Sequence, residues 1–92
     1  MKKYILNKNV SLRNEEATGK FYAFLIKTGD HFNLNKTGFM ILNCLKEEKS
    51  LDEIVSLLSE EMLVDKIIVL NDLIPFLDLS EKNGIIAYKS DK

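Results

Sequence analysis

The sequence has one cysteine, one histidine, one proline, four glycines and no excess of charge of either sign. With Cys44 alone, no internal disulfide can form, and thiols can build neither a zinc site nor a redox pair. A Cys–His catalytic pair would need Cys44 exposed beside His31. Cys44 instead lies in an apolar stretch between Leu42 and Leu45, where it reads as a buried, inert thiol. The glycines Gly19, Gly29, Gly38 and Gly84 are isolated, so no phosphate-cradling loop is present. Thirteen basic against fourteen acidic side chains give a formal charge of −1, which counts against a nucleic-acid binder, whose affinity comes mostly from phosphate neutralisation. No window approaches the roughly 18 consecutive apolar residues of a membrane span, and the apolar run after Met1-Lys2-Lys3 is too short for a signal peptide. A cytoplasmic protein without membrane attachment is expected.

Acidic residues occur in pairs, Glu15-Glu16, Glu47-Glu48, Asp52-Glu53 and Glu60-Glu61, all beside turns or helix ends, where they read as solvated faces. The spacing of metal-ligating residues forms no cluster. The sequence therefore predicts no catalytic residue, no metal and no cofactor, and an enzyme is not expected.

What is present is an ordinary globular composition, 46% apolar and 29% charged, in 92 residues. That length suits a single domain, 1–92, with one modest core. Val10 and Leu12 alternate with Ser11 and Arg13, a weak edge-strand pattern, and Asn14 to Gly19 has the composition of a loop. Phe21 to Ile26 is the strongest strand signal, and Thr28-Gly29 suits a tight hairpin into Asp30 to Leu34. The expectation is a three-stranded antiparallel meander over about 9–14, 20–27 and 30–35.

At Asn35 the apolar period changes from two to between three and four. Asn35 can cap a helix through the N–H groups of Thr37 or Gly38, and that helix presents Ile41, Leu42 and Leu45 on one face, with Gly38 allowing a close approach. A second helix opens on the capping box Ser50-Leu51-Asp52-Glu53, with Leu51, Ile54, Leu57, Leu58 and Met62 at helical spacing. A third runs from about Lys66 to Asn83 and stops at Gly84. Pro75 leaves two outcomes, a long helix kinked near Asn71 or a shorter one starting at an Asp72 cap, and the long one is expected. Ile85, Ile86 and Tyr88 form a short extended end, and Lys89 to Lys92 a frayed tail. The class is α+β.

The last strand of the meander should be an edge, with unpaired N–H and C=O groups facing outward. It reads Asp-His-Phe-Asn-Leu, without the lysine, proline or bulge that usually blunts an edge. Either a peptide adds to it as a further strand, or the third helix covers it.

Leu34-Asn35-Lys36-Thr37-Gly38, Ile41-Leu42, Leu45, Ser50-Leu51-Asp52-Glu53-Ile54, Asp72-Leu73, Phe76-Leu77 and Asn83-Gly84-Ile85-Ile86, in that order and separation, resemble the PqqD-like proteins. These RiPP recognition elements are small peptide chaperones of ribosomal peptide natural-product pathways, and the resemblance covers about residues 9–87. It implies a winged helix-turn-helix-like domain, with a three-stranded antiparallel sheet followed by three helices. The leader segment of a precursor peptide would bind as a fourth strand, antiparallel to the third, in a groove closed by the third helix. Carried over, the peptide-binding residues are His31, Phe32, Asn33 and Leu34 on the strand, and Val69, Asp72, Leu73 and Phe76 on the helix, with Ile68 and Leu79 as outer candidates. Two departures stand out. The family usually has a glycine between its first two helices, where this chain has Lys46-Glu47-Glu48-Lys49, and a leucine where it has Ser80, beside Leu79. Several of these residues also have a purely structural reading. Leu34 and Leu73 suit the core, the face of Phe32 depends on register, His31 suits an exposed strand position, and Asp72 either caps a helix or meets a cation of the leader.

The function expected from the resemblance is leader-peptide binding by strand addition, with presentation to a separate modifying enzyme such as a radical SAM enzyme or a leader peptidase of lasso peptide assembly. The alternative is a winged-helix DNA-binding or transcription-regulating domain, against which the third helix carries only Lys66 and Lys82. A third reading is a structural subunit that dimerises through its open edge, so the chain is expected as a monomer or an edge-strand dimer.

Overall fold

A computed structural model describes residues 2–90. The elements run β1 (Lys2–Leu6), β2 (Val10–Glu15), β3 (Lys20–Leu25), β4 (His31–Leu34), α1 (Lys36–Lys46), α2 (Leu51–Met62), α3 (Lys66–Lys82) and β5 (Ile86–Ser90). The expected meander is present as an antiparallel sheet in the order β2-β3-β4. Its two hairpins are built alike. Glu15 C=O accepts from Gly19 N–H and Leu25 C=O from Gly29 N–H, both at 2.8 Å, and each glycine closes a four-residue loop at φ 69° and 79° respectively. Left-handed backbone of that kind favours glycine. The second hairpin therefore turns over Ile26–Gly29 rather than over Thr28-Gly29 alone, and β3 ends at Leu25.

A second, two-stranded sheet pairs β1 with β5 in antiparallel register, Tyr4 opposite Tyr88. The sequence reading assigned no element to the first residues and treated Lys89 onward as a tail. Lys89 and Ser90 belong to β5, whereas Asp91 and Lys92 lie outside the described residues. The two tyrosine rings meet edge to face at 5.6 Å, and Asn7 closes the ribbon through its N–H to Ile85 C=O and its side-chain amide to Gly84 C=O. The last turns of α3 pack beside this ribbon, and burial raises the Tyr4 phenol above its ordinary value, helped by the negative charges of Glu81 and Asp78.

The helical caps fall where local chemistry puts them. Asn35 Oδ1 accepts from Gly38 N–H at 2.7 Å. Ser50 and Glu53 exchange side-chain-to-backbone bonds in both directions. At the end of α3, Ile85 N–H reaches Ser80 C=O and Gly84 N–H reaches Glu81 C=O, the paired bonds of a Schellman motif around Gly84 at φ 77°. The end of α1 has the same motif, Lys49 N–H to Cys44 C=O and Glu48 N–H to Leu45 C=O, with Glu48 at φ 60° in the left-handed place. The turn between the first two helices thus keeps its geometry with a glutamate instead of a glycine.

α3 runs unbroken through Pro75 from an N-cap at Asp65, so Asp72 caps nothing. Pro75 has no N–H for the Asn71 carbonyl, but both residues are exposed, and water can take that place. The core gathers Leu42 and Leu45 of α1, Ile54 of α2 and Leu73 of α3, all essentially inaccessible, with Ala23 of β3 and Ile85–Ile86 beside them. On α2 the buried residues are Ile54, Val55 and Leu58; Leu57 and Met62, which share the helical spacing, are exposed.

Candidate functional site

In an antiparallel ladder, hydrogen-bonded and non-hydrogen-bonded pairs alternate. Leu25 N–H donates to Asp30 C=O, and the register continues Ala23 opposite Phe32 and Phe21 opposite Leu34. Phe32 and Leu34 therefore spend their backbone groups on β3, while His31 and Asn33 point theirs away from the sheet. Among the described residues no strand pairs with that side of β4. The edge predicted from the sequence is an edge in the structure.

The side chains of β4 divide the same way. Phe32 and Leu34 are half-buried and pack against the core, which settles the face of Phe32. His31 and Asn33 are exposed on the opposite face, in an open hollow of about 490 Å³ that also holds Arg13, Tyr22 and Phe24. There the His31 ring meets Tyr22 at 6.0 Å, and the Arg13 guanidinium lies 5.9 Å from the centre of Phe24.

Beyond Leu34 the chain enters a groove of about 470 Å³. Its first wall is the start of α1, where Asn35, Thr37 and Gly38 are followed one turn later by Ile41. The cap explains this wall: by holding the Gly38 N–H, Asn35 turns the chain directly from strand into helix. The second wall is α3, where Ile68, Val69, Asp72, Leu73 and Phe76 recur at helical spacing along one face. Val69 and Leu73 form its buried floor, Phe76 is half-buried, and Ile68 and Asp72 are exposed at the rim. Leu58 and Met62 of α2 with Val64 close the remaining side. Asp72 is the one ionisable side chain of this lining, and everything else is apolar or a neutral polar group.

Five of the ten predicted residues thus come together: Ile68, Val69, Asp72, Leu73 and Phe76. The four strand residues lie next to the groove but outside its lining, two facing the core and two the open side of the sheet. Leu79 lines a separate shallow depression with Pro75 and Asp78 and is 59% exposed there. Sequence reasoning did not foresee the α2 wall. Leu58 and Met62 are four apart on an apolar stripe that signalled core, and only the end of α2 at Met62 hinted that the stripe opens to the surface. Asn35 and Gly38 were legible as a cap but not as groove wall. Among the described residues no three metal-ligating side chains converge, and no helix is long and apolar enough to cross a membrane.

The family described as coenzyme PQQ synthesis protein D (PqqD) matches residues 16–86. Comparison with curated protein sequences found no match. Two solved structures are similar over nearly the whole length of both partners. One is TbiB1 in complex with the TbiA(beta) leader peptide, with a TM-score of 0.81 and 25% identity over 95% of this chain and 99% of that one. The other is a lasso peptide synthetase B1 complexed with the leader peptide, with a TM-score of 0.79 and 19% identity over 92% and 98%. The fold is shared with both, and the family match spans both hairpin strands β3 and β4 and all three helices, so the chain belongs to the PqqD family, the family its caps and apolar spacing resemble.

Proposed function

We propose that this protein is a RiPP recognition element, which binds the leader segment of a ribosomally made precursor peptide and presents it to a separate modifying enzyme. The observation that carries the reading is the continuity of an unpaired strand edge, at His31 and Asn33, with an apolar groove that begins at the next turn of chain. A guest strand laid antiparallel on β4 satisfies its main-chain groups there, which gives affinity independent of sequence, and the groove between α1 and α3 takes its side chains, which gives selectivity. The leader-peptide complex of TbiB1, at 25% identity, supports the assignment. Catalysis belongs to the partner enzyme, of radical SAM or leader peptidase type, and the encounter takes place in the cytoplasm.

The winged-helix DNA-binding reading is less well supported, because α3 sets Asp72, Asp78 and Glu81 against Lys66 and Lys82. The test is a titration of the ¹⁵N-labelled chain with the leader of a precursor peptide encoded beside it. Amide shifts at His31 to Leu34 and along Ile68 to Phe76 are expected. Shifts confined to the open sheet face around Arg13 and Phe24 would sink the assignment.

A further inference from the structure

Among the described residues nothing in the fold engages the Asp72 carboxylate. It stands a full turn and a half inside α3, past the first turn where the helix dipole favours an anion, and it caps nothing. The residues three and four positions away are Val69, Ile68, Pro75 and Phe76, so its own helix offers no ion pair. Among the described residues no cation is paired with it. It nevertheless lies on the groove wall between Ile68 and Phe76, above the buried Val69 and Leu73. A carboxylate there penalises a purely apolar guest, whose approach would strip its water without return, and favours a guest that brings a positive charge.

We propose that Asp72 is a specificity-determining residue, which selects leader peptides carrying a lysine or arginine close to an apolar anchor. The inference rests on the peptide-binding reading of the same groove. The apolar anchor fills the space over Val69, Leu73 and Phe76, and the long aliphatic stem of the basic residue runs along the rim past Ile68 to bring its charge to Asp72. In an extended guest only alternate side chains face one way, so anchor and cation are separated by an even number of positions.

The experiment is a selection of displayed random linear 15-residue peptides on the full chain, repeated on Asp72→Asn, Asp72→Lys and an edge-blocked Asn33→Pro variant, with each variant's fold checked by thermal unfolding. Peptides that need the open edge are those lost on Asn33→Pro. Among them, enrichment of Lys or Arg at even spacing from an apolar residue is expected for the natural chain, and of Asp or Glu for Asp72→Lys. A synthesised winner should lose about three- to tenfold in affinity on Asp72→Asn at low salt, and the difference should shrink at about 1 M salt. Edge-dependent peptides with no basic preference, or with the same preference on Asp72→Asn, overturn the inference while leaving strand addition standing. If no selected peptide depends on the edge, the peptide-binding reading itself falls, and the inference with it. Asp72→Asn keeps the test decisive should the lysine variant fail to fold.

Discussion

Gly38 and Phe76 lie against each other where α1 meets α3: a methyl group on Gly38 would stand 3.1 Å from Phe76 Cε1 and 3.2 Å from Asn35 Oδ1. The missing side chain lets the Phe76 ring lie over the first turn of α1, and this contact forms one end of the groove.

The contact predicts a separation of stability from binding. Gly38→Ala gains about 1 kcal/mol of helix propensity, and the half-buried Phe76 ring can yield a few tenths of an ångström toward the open groove. Urea unfolding should therefore change by less than about 1 kcal/mol, while peptide affinity falls several-fold because the displaced ring narrows the groove. Gly38→Val adds branches that the ring cannot clear and should lose about 1–3 kcal/mol. Gly38→Ala combined with Phe76→Leu should recover affinity relative to Gly38→Ala alone.

The alternation of backbone bonds along β4 predicts opposite outcomes for two neighbouring prolines. Asn33→Pro removes an N–H that points to the empty edge, so the fold should hold within about 1 kcal/mol while leader binding is lost. Phe32→Pro removes the N–H directed at Ala23 and a core-facing ring, and should unfold or lose roughly 3 kcal/mol or more. Thermal unfolding and peptide titration on both variants separate the two.

Among the described residues two non-glycine residues occupy left-handed backbone, Glu48 at φ 60° and Leu63 at φ 55°. Such a conformation costs about 1–2 kcal/mol outside glycine, partly offset by glycine's greater freedom in the unfolded chain. Glu48→Gly should thus stabilise by roughly 0.5–1 kcal/mol, seen as a rise of several degrees in Tm. Leu63→Gly should behave alike, because the Leu63 side chain is 89% exposed and leaves almost no burial to lose.

Burial pushes the Cys44 thiol up; Lys49 opposes this, and Glu47 and Glu53 add to it. The folded chain then holds a proton that the unfolded chain releases, so the associated stability is intact below the ordinary thiol value and is lost as pH rises through the folded one. Urea midpoints should fall as pH rises past the ordinary thiol value, and Cys44→Ala should flatten part of that fall. A thiol reagent should label Cys44 at the rate at which the chain opens, since the side chain is buried.

How much was legible follows from the range of each interaction. Asn35 with Gly38, Ser50 with Glu53, Gly84 with Glu81 and Ile85 with Ser80 act over three to five residues, so the caps and the helix stop could be read directly from the sequence. The strand edge was legible because residues 31–34 contain nothing that would blunt it. The pairing of Tyr4 with Tyr88 was not legible: it joins the two ends of the chain, and neither segment carries a local signal for the other. The face of Phe32 waited on the register with Ala23, since a slip of one residue would reverse it.

The sequence by itself determined the meander, the three helices, the caps at Asn35 and Ser50, the stop at Gly84 and the open edge, because backbone hydrogen bonds and apolar period are local properties. Only the tertiary structure decided what surrounds that edge. Packing α3 against α1 and α2 set Phe76 on Gly38, brought Leu58 and Met62 to the wall and left Leu79 outside. The same packing gave Asp72 a place in the groove instead of a cap. Those relations depend on how helices distant in sequence share one core, and no spacing along the chain encodes them singly.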